Sequence, residues 1–155
     1  MKSVTRKNII MPVLMLFGLM FAIGTIRANA QVMDPIDADI PFQFHAGNAK
    51  LPAGKYMVRM LDGADQTVME IASIDGHHSS VFQIRNTIAN VEPKKTELIF
   101  NRYGDQYFLS QIFEEGYKTG NELLESHYER LAKKNGAKAM KHHIPGFHRH
   151  MAGKK

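Results

Sequence analysis

The C-terminal part of the chain holds its densest set of potential metal ligands. Four histidines lie within nine residues there: His142, His143, His148 and His150. Neutral imidazole binds zinc, copper and nickel well, so these side chains are predicted to bind a divalent transition metal. Protons compete for the same ring nitrogens, so such a site would lose its metal as the pH falls.

The same part of the chain is strongly basic. Residues 130–155 contain eight Lys or Arg and no Asp or Glu, whereas residues 31–129 contain eight Lys or Arg against fifteen Asp or Glu. An apolar stripe at helical spacing lies on this cationic background and consists of Met140, Ile144, Phe147 and Met151. The pattern is typical of segments that lie on an anionic surface. Nucleic acid is not an expected partner, because only one aromatic side chain is present for stacking.

These patterns leave three interpretations open. Residues 136–155 are predicted to form a basic, His-rich, disordered tail that binds an anionic envelope surface, binds a transition metal, or is merely solvated. Because the tail lies outside the alternating pattern of the preceding chain, its removal is expected to leave the preceding domain folded.

A second candidate site lies where polar and aromatic side chains surround one glycine, between residues 101 and 113. A two-residue turn at 104–105 would join two strands and place Arg102 opposite Tyr107. A guanidinium over a tyrosine ring forms a cation–π pair. Arg102, Tyr103 and Tyr107 are therefore predicted to contact a ligand, and the alternative is a stabilised hairpin tip without one.

The other polar side chains give no arrangement typical of an enzyme. His77 and His78 follow Asp75 at a turn, but no third group that would orient them is visible. Three aspartates within residues 34–39 lack the spacing of a calcium-binding loop. The chain has no cysteine, and the motifs of serine hydrolases, zinc peptidases and nucleotide-binding proteins are absent. A non-enzymatic protein without a cofactor is predicted.

The N-terminal residues predict export. Lys2, Arg6 and Lys7 precede an apolar run that extends from residue 9 to 26, and Ala28-Asn29-Ala30 follows it. This is the pattern of a Sec-type signal peptide with cleavage before Gln31. The alternative is an uncleaved anchor, since the run is almost long enough to span a bilayer. The protein is predicted to be periplasmic or extracellular.

Residues 31–135 are predicted to form one domain that is mainly antiparallel β. Ile40, Phe42 and Phe44 alternate with polar residues, which indicates a half-buried strand, and similar runs follow at turns that contain Asp-Gly steps. A small sandwich or a partly open barrel would bury such strands. After Gly116 the pattern changes: Thr119-Gly120-Asn121-Glu122 resembles a capping box, and Leu124, Tyr128 and Leu131 recur at helical spacing.

Four short motifs occur in order along the chain: Ile40-Pro41-Phe42, Leu51-Pro52-Ala53-Gly54-Lys55-Tyr56, Arg102-Tyr103-Gly104-Asp105-Gln106-Tyr107-Phe108-Leu109-Ser110-Gln111 and Gly120-Asn121-Glu122-Leu123. As a set they resemble a family of small, uncharacterised exported bacterial proteins that is frequent in acidobacteria. The family tends to have tryptophan in place of Phe113 and proline in place of Leu124, and such a proline would start the helix at Leu124. The resemblance implies a signal peptide and a β-rich domain, and it transfers no active site.

These observations predict a non-enzymatic envelope or extracellular module with a binding or structural role. The alternative is a small β-barrel that carries an apolar ligand. A carrier needs an internal cavity, and alternation along strands is the same for a cavity and for a filled core.

Overall fold

The computed structural model describes residues 34–61, 67–134 and 138–149. The predicted signal peptide, residues 1–30, and His150 lie outside these ranges. The described residues form ten strands and one helix: β1 (Ile36–Ile40), β2 (Phe44–Ala46), β3 (Ala49–Leu51), β4 (Gly54–Met60), β5 (Val68–Ser73), β6 (Ser79–Ile88), β7 (Glu97–Tyr103), β8 (Gln106–Phe113), β9 (Thr119–Leu123), α1 (His127–Lys134) and β10 (Met140–His148).

Eight of these strands close into an antiparallel barrel, in the order β8-β7-β10-β1-β4-β5-β6-β9 and back to β8. The remaining two, β2 and β3, form a short hairpin, and β2 pairs in parallel with the first part of β8 at Tyr107 and Phe108. Strand β9 pairs with the second part of the same edge, at Gln111 and Ile112. The prediction of a mainly β antiparallel domain with one helix is confirmed, and the barrel is closed.

The barrel interior holds a single apolar core, because alternate residues of each strand point inward. In β1 the inward residues are Ile36, Ala38 and Ile40, each at most 4% exposed. Large aromatic side chains fill the middle: Phe44, Tyr56 and Phe100 are almost completely buried. Their rings meet edge to face, Phe44 with Tyr56 at 5.2 Å and Phe44 with Phe100 at 5.4 Å between centroids.

The C-terminal segment corrects the prediction of a disordered tail, since residues 140–148 form β10. This strand lies between β1 and β7 and pairs with both. Ile144 and Gly146 face inward, and only glycine fits at 146, because a Cβ there would come within 2.6 Å of Ile36 Cγ2. Pro145 is tolerated because the ladder with β1 covers only the strand from Gly146 onward.

The helix begins later than the predicted capping box. Residues 119–123 are extended as β9, and the helix starts at His127. Ser126 Oγ accepts a hydrogen bond from the backbone N–H of Glu129 at 3.2 Å, so Ser126 is the N-cap. No helix in the described ranges is long and apolar enough to cross a membrane.

Candidate functional site at one end of the barrel

The predicted hairpin is confirmed in its register. Tyr103 pairs with Gln106 and Arg102 with Tyr107 across the two-residue turn. Gly104 has a φ of 59°, which the turn requires and which glycine adopts without a steric penalty. Arg102 Nε donates to the carbonyl oxygen of Gly104 at 2.7 Å, and its guanidinium carbon lies 5.3 Å from the centre of the Tyr107 ring. The predicted cation–π pair is therefore present.

Two further residues, which the sequence patterns did not predict here, lie against Tyr107. Phe42, in the connection between β1 and β2, stacks on the Tyr107 ring with 3.9 Å between centroids and 18° between planes. His142, on β10, places its ring edge-on to both, at 5.1 Å from Phe42 and 5.6 Å from Tyr107. We call Phe42, Arg102, Tyr107 and His142 the aromatic site.

The aromatic site lies at the end of the barrel where β7 ends and β8 begins. Its four side chains come from four separate segments, and all four are half-exposed. Phe42 also contacts the buried Phe100 ring edge-on at 5.3 Å, so the site continues directly into the core. The site offers π surface, one permanent cation and an imidazole, which together suit a ligand with a flat apolar part and an anionic group.

Tyr103, the third predicted contact residue, lies elsewhere. Adjacent residues of a strand face opposite sides, so Tyr103 points away from Arg102, toward α1. It is 5% exposed and packs with Phe108 and Ala132. Its hydroxyl lies 3.4 Å from Glu129 Oε1, and burial, together with the Glu129 charge, raises its pKa. Tyr103 therefore belongs to the contact between the sheet and the helix.

The helix docks through a polar network and one stacked imidazole. Glu129 is buried and accepts a hydrogen bond from Asn101 Nδ2 at 2.6 Å. The imidazole of His45, on β2, stacks on the Phe108 ring at 4.9 Å and lies tilted against the Tyr128 ring of the helix at 5.4 Å between centroids. Its Nδ1 is buried without a hydrogen-bond partner among the described residues. Burial lowers the pKa of His45, and the charge of Lys50 lowers it further.

Strand β10 separates the predicted metal ligands. His142 belongs to the aromatic site, whereas His143 lies on the opposite face of the strand, with its Nδ1 3.1 Å from Glu97 Oε2. His148 Nε2 lies 3.1 Å from Thr96 Oγ1 and 3.5 Å from Glu114 Oε2. Within residues 34–61, 67–134 and 138–149, no three His, Asp or Glu side chains converge as metal ligands. A site that uses His142, His143 and His148 together is therefore not formed.

The other polar candidates have structural partners. Asp75 Oδ1 accepts hydrogen bonds from Ser73 Oγ at 2.5 Å and from the backbone N–H of His77 at 3.1 Å, and these bonds lower its pKa. Asp75 thus stabilises its own turn. Asp37 pairs with Arg149, Oδ2 to Nε at 2.9 Å.

Compared with models of protein families, with curated protein sequences and with solved structures, the chain shows no match. The interpretation of the aromatic site therefore depends on its own geometry.

Proposed function

We propose that this protein is an exported, non-enzymatic binding module whose ligand contacts the aromatic site. The proposal is carried by the convergence of Phe42, Arg102, Tyr107 and His142 from four segments of the chain. Half-exposed rings that stack at 3.9 Å are already ordered, so a ligand would meet little entropic cost in fixing them. The ligand class is an organic anion with a flat apolar or aromatic part.

Arg102 supplies the charge selectivity of this site. Its Nε donates a hydrogen bond to the carbonyl oxygen of Gly104, and its Nη2 lies 3.5 Å from the fully exposed Asp105 carboxylate. A pair of this length at an exposed position contributes little and exchanges easily. The guanidinium therefore remains able to bind a sulfonate, carboxylate or phosphate group, which would form a shorter, charge-assisted contact.

A second candidate function, carriage of an apolar ligand inside the barrel, is favoured by the closed eight-stranded wall. In the described part of the chain the interior is occupied by Phe44, Tyr56 and Phe100. A carrier would need Phe42 to swing away from Phe100 and the core rings to move aside. The two candidates therefore differ in what Phe42 does: it contacts the ligand in one and blocks the entrance in the other.

The test uses 8-anilinonaphthalene-1-sulfonate, a fluorescent anion with two aromatic parts, as the probe. We expect saturable binding of the probe to the full chain. Tyr107→Ala should raise the dissociation constant about tenfold through loss of ring contact, and Arg102→Gln should raise it to a similar degree. The Arg102→Gln variant is also expected to lose most of the salt dependence of binding.

Two matched variants control for surface changes in general. Tyr128→Ala removes a tyrosine of the helix that is 48% exposed, and Arg85→Gln removes an arginine of a different surface pair. Both are expected to bind the probe as the unchanged protein does. Phe42→Ala separates the two candidates: it weakens binding at a surface site and strengthens binding inside the barrel. Equal binding by all of these variants would contradict the proposed site.

A further inference from the structure

Two loops at the opposite end of the barrel form a braced tip. The first, residues 89–96, follows β6, and the second, residues 114–118, precedes β9. The backbone N–H of Ala89 donates to the carbonyl of Lys118 at 2.8 Å, and that of Gly116 donates to the carbonyl of Pro93 at 3.0 Å. These two bonds hold the loops side by side, so that the side chains they carry keep a fixed arrangement.

Large apolar side chains project from this tip. Ile88 is 76% exposed, Val91 is 74% exposed and Tyr117 is 52% exposed. Ile88 pairs with Thr119 in the ladder between β6 and β9, which places it beside the braced loops. We call Ile88, Val91 and Tyr117 the apolar tip. Isolated exposed apolar residues are ordinary, whereas three on one rigid end indicate contact with an apolar phase or partner.

The charges around the tip identify the kind of partner. Exposed lysines at 94, 95 and 118 accompany exposed glutamates at 92 and 115. None of these five forms an ion pair with another described residue, so all of them are free to contact headgroups. Because the two signs nearly balance, the tip matches a surface that itself carries both charges, rather than a strongly anionic polymer. Zwitterionic phospholipid headgroups have this property, and lysine stems and a tyrosine ring suit the interface above the acyl chains.

A protein partner is the less suitable occupant. A stable protein interface buries roughly 800 Å² on each partner and excludes charge from its centre. Three side chains at a tip surrounded by five charged residues do not supply that area. Shallow insertion into a lipid surface needs only a few apolar side chains with polar groups around them.

We infer that the apolar tip inserts into a phospholipid surface, so that the barrel stands on a membrane by the end opposite to the aromatic site. Because apolar burial drives this contact, binding depends on Ile88 and Val91 and only weakly on salt. This inference is independent of the ligand proposed for the aromatic site, and either can fail without the other.

The chain has no tryptophan, so a single introduced tryptophan reports on its own position. Tyr117→Trp is the reporter at the tip, and Tyr128→Trp, at a helix position of similar exposure (48%), is its matched control. With phosphatidylcholine vesicles we expect a blue shift and quenching by brominated lipid for Tyr117→Trp and neither for Tyr128→Trp. Both variants carry the same N-terminal segment, so any contribution from residues 1–30 is equal in the two.

A second measurement tests the driving force. Replacing Ile88 and Val91 together by serine is expected to lower the partition coefficient about a hundredfold, at about tenfold for each side chain. Raising the salt from about 50 mM to about 500 mM is expected to change it less than about threefold. A control with serine at Ile74 and Val81, which are 51% and 57% exposed elsewhere, should partition unchanged.

Three results would overturn the inference. The first is an unshifted Tyr117→Trp spectrum with vesicles, and the second is an equal shift for both tryptophan reporters. The third is a double serine variant that keeps its partitioning but loses self-association in sedimentation, which would assign the tip to a contact between copies of this chain.

Discussion

Ending the chain at Asn135 removes β10 and tests how the barrel is closed. The strand forms three registered pairs with β1 and six with β7. Registered pairs of an antiparallel ladder alternate between two hydrogen bonds and none, so the nine pairs hold about nine hydrogen bonds. At a net contribution of about 1 kcal/mol for each bond, they contribute about 9 kcal/mol. Burial of Ile144 adds about 2 kcal/mol. Domains of this size are stable by about 5–15 kcal/mol in total, so the shortened chain is expected not to fold.

The assay is urea unfolding followed by far-ultraviolet circular dichroism. The full chain should unfold cooperatively, and a chain that ends at Arg149, which keeps the whole of β10, should do the same. The chain that ends at Asn135 should show no transition, and a synthetic peptide of residues 138–149 should restore one. A cooperative transition of the shortened chain alone, at the midpoint of the full chain, would refute the placement of β10 between β1 and β7.

Three further changes test single positions. Gly104→Val should lower the free energy of unfolding by about 1 kcal/mol or more, because a β-branched residue resists the positive φ of this turn; an unchanged urea midpoint would contradict this. Gly120→Ala should cost about 1–3 kcal/mol, because the new Cβ would lie 2.6 Å from the carbonyl oxygen of Ile112, and a melting temperature equal to that of the unchanged protein would show that the backbone yields freely. His45→Phe keeps the stacked ring but cannot take up a proton. Because burial lowers the pKa of His45 in the folded state, its unfolded form binds the proton first as the pH falls, and folding loses stability below about pH 6.5. The drop in urea midpoint between about pH 7.5 and about pH 5.5 should be smaller in His45→Phe; an equal drop in both proteins would exclude His45 as a source.

The hairpin and the barrel strands were predictable because their signals are local. Alternation with period two identifies a half-buried strand from its own residues, and a glycine-first turn fixes the register of the two strands that it joins. The Gly104 turn therefore gave the pairing of Arg102 with Tyr107 correctly. The helix was recognised from its spacing, but its start was not, because the capping residue is Ser126 and the earlier polar run forms β9.

Strand β10 was not predictable from its own residues. It offers Ile144 as its one large buried apolar side chain, and its histidines and cations are typical of a solvated tail. What makes it a strand is its pairing with residues more than a hundred positions away in β1. The excess of basic residues after residue 129 predicts attraction to an anionic surface outside the chain. Part of it is satisfied internally, where Arg149 meets Asp37.

Two of the four residues of the aromatic site were predictable, because only those two are brought together by a local pattern. Arg102 and Tyr107 are cross-strand neighbours, so the hairpin alone brings them together. Phe42 and His142 reach them only through the order of strands around the barrel, which no local pattern contains. Alternation along β7 places Tyr103 on the face opposite to Arg102, so the strand pattern alone separates Tyr103 from the aromatic site.

The pairing of Ile36 with His148 also joins the first and the last described strands of the chain. Strand β1 leaves the ribosome first among the described strands, and its neighbour β10 leaves last, so the wall of the barrel stays open until β10 has emerged. During that interval β1 and β7 each have an edge with unpaired amide and carbonyl groups, which is the condition in which nascent β proteins pair with the wrong chain. The N-terminal residues predict export, and an exported chain must cross the membrane unfolded. If that prediction is correct, the late arrival of β10 would keep the barrel open while the chain is being translocated.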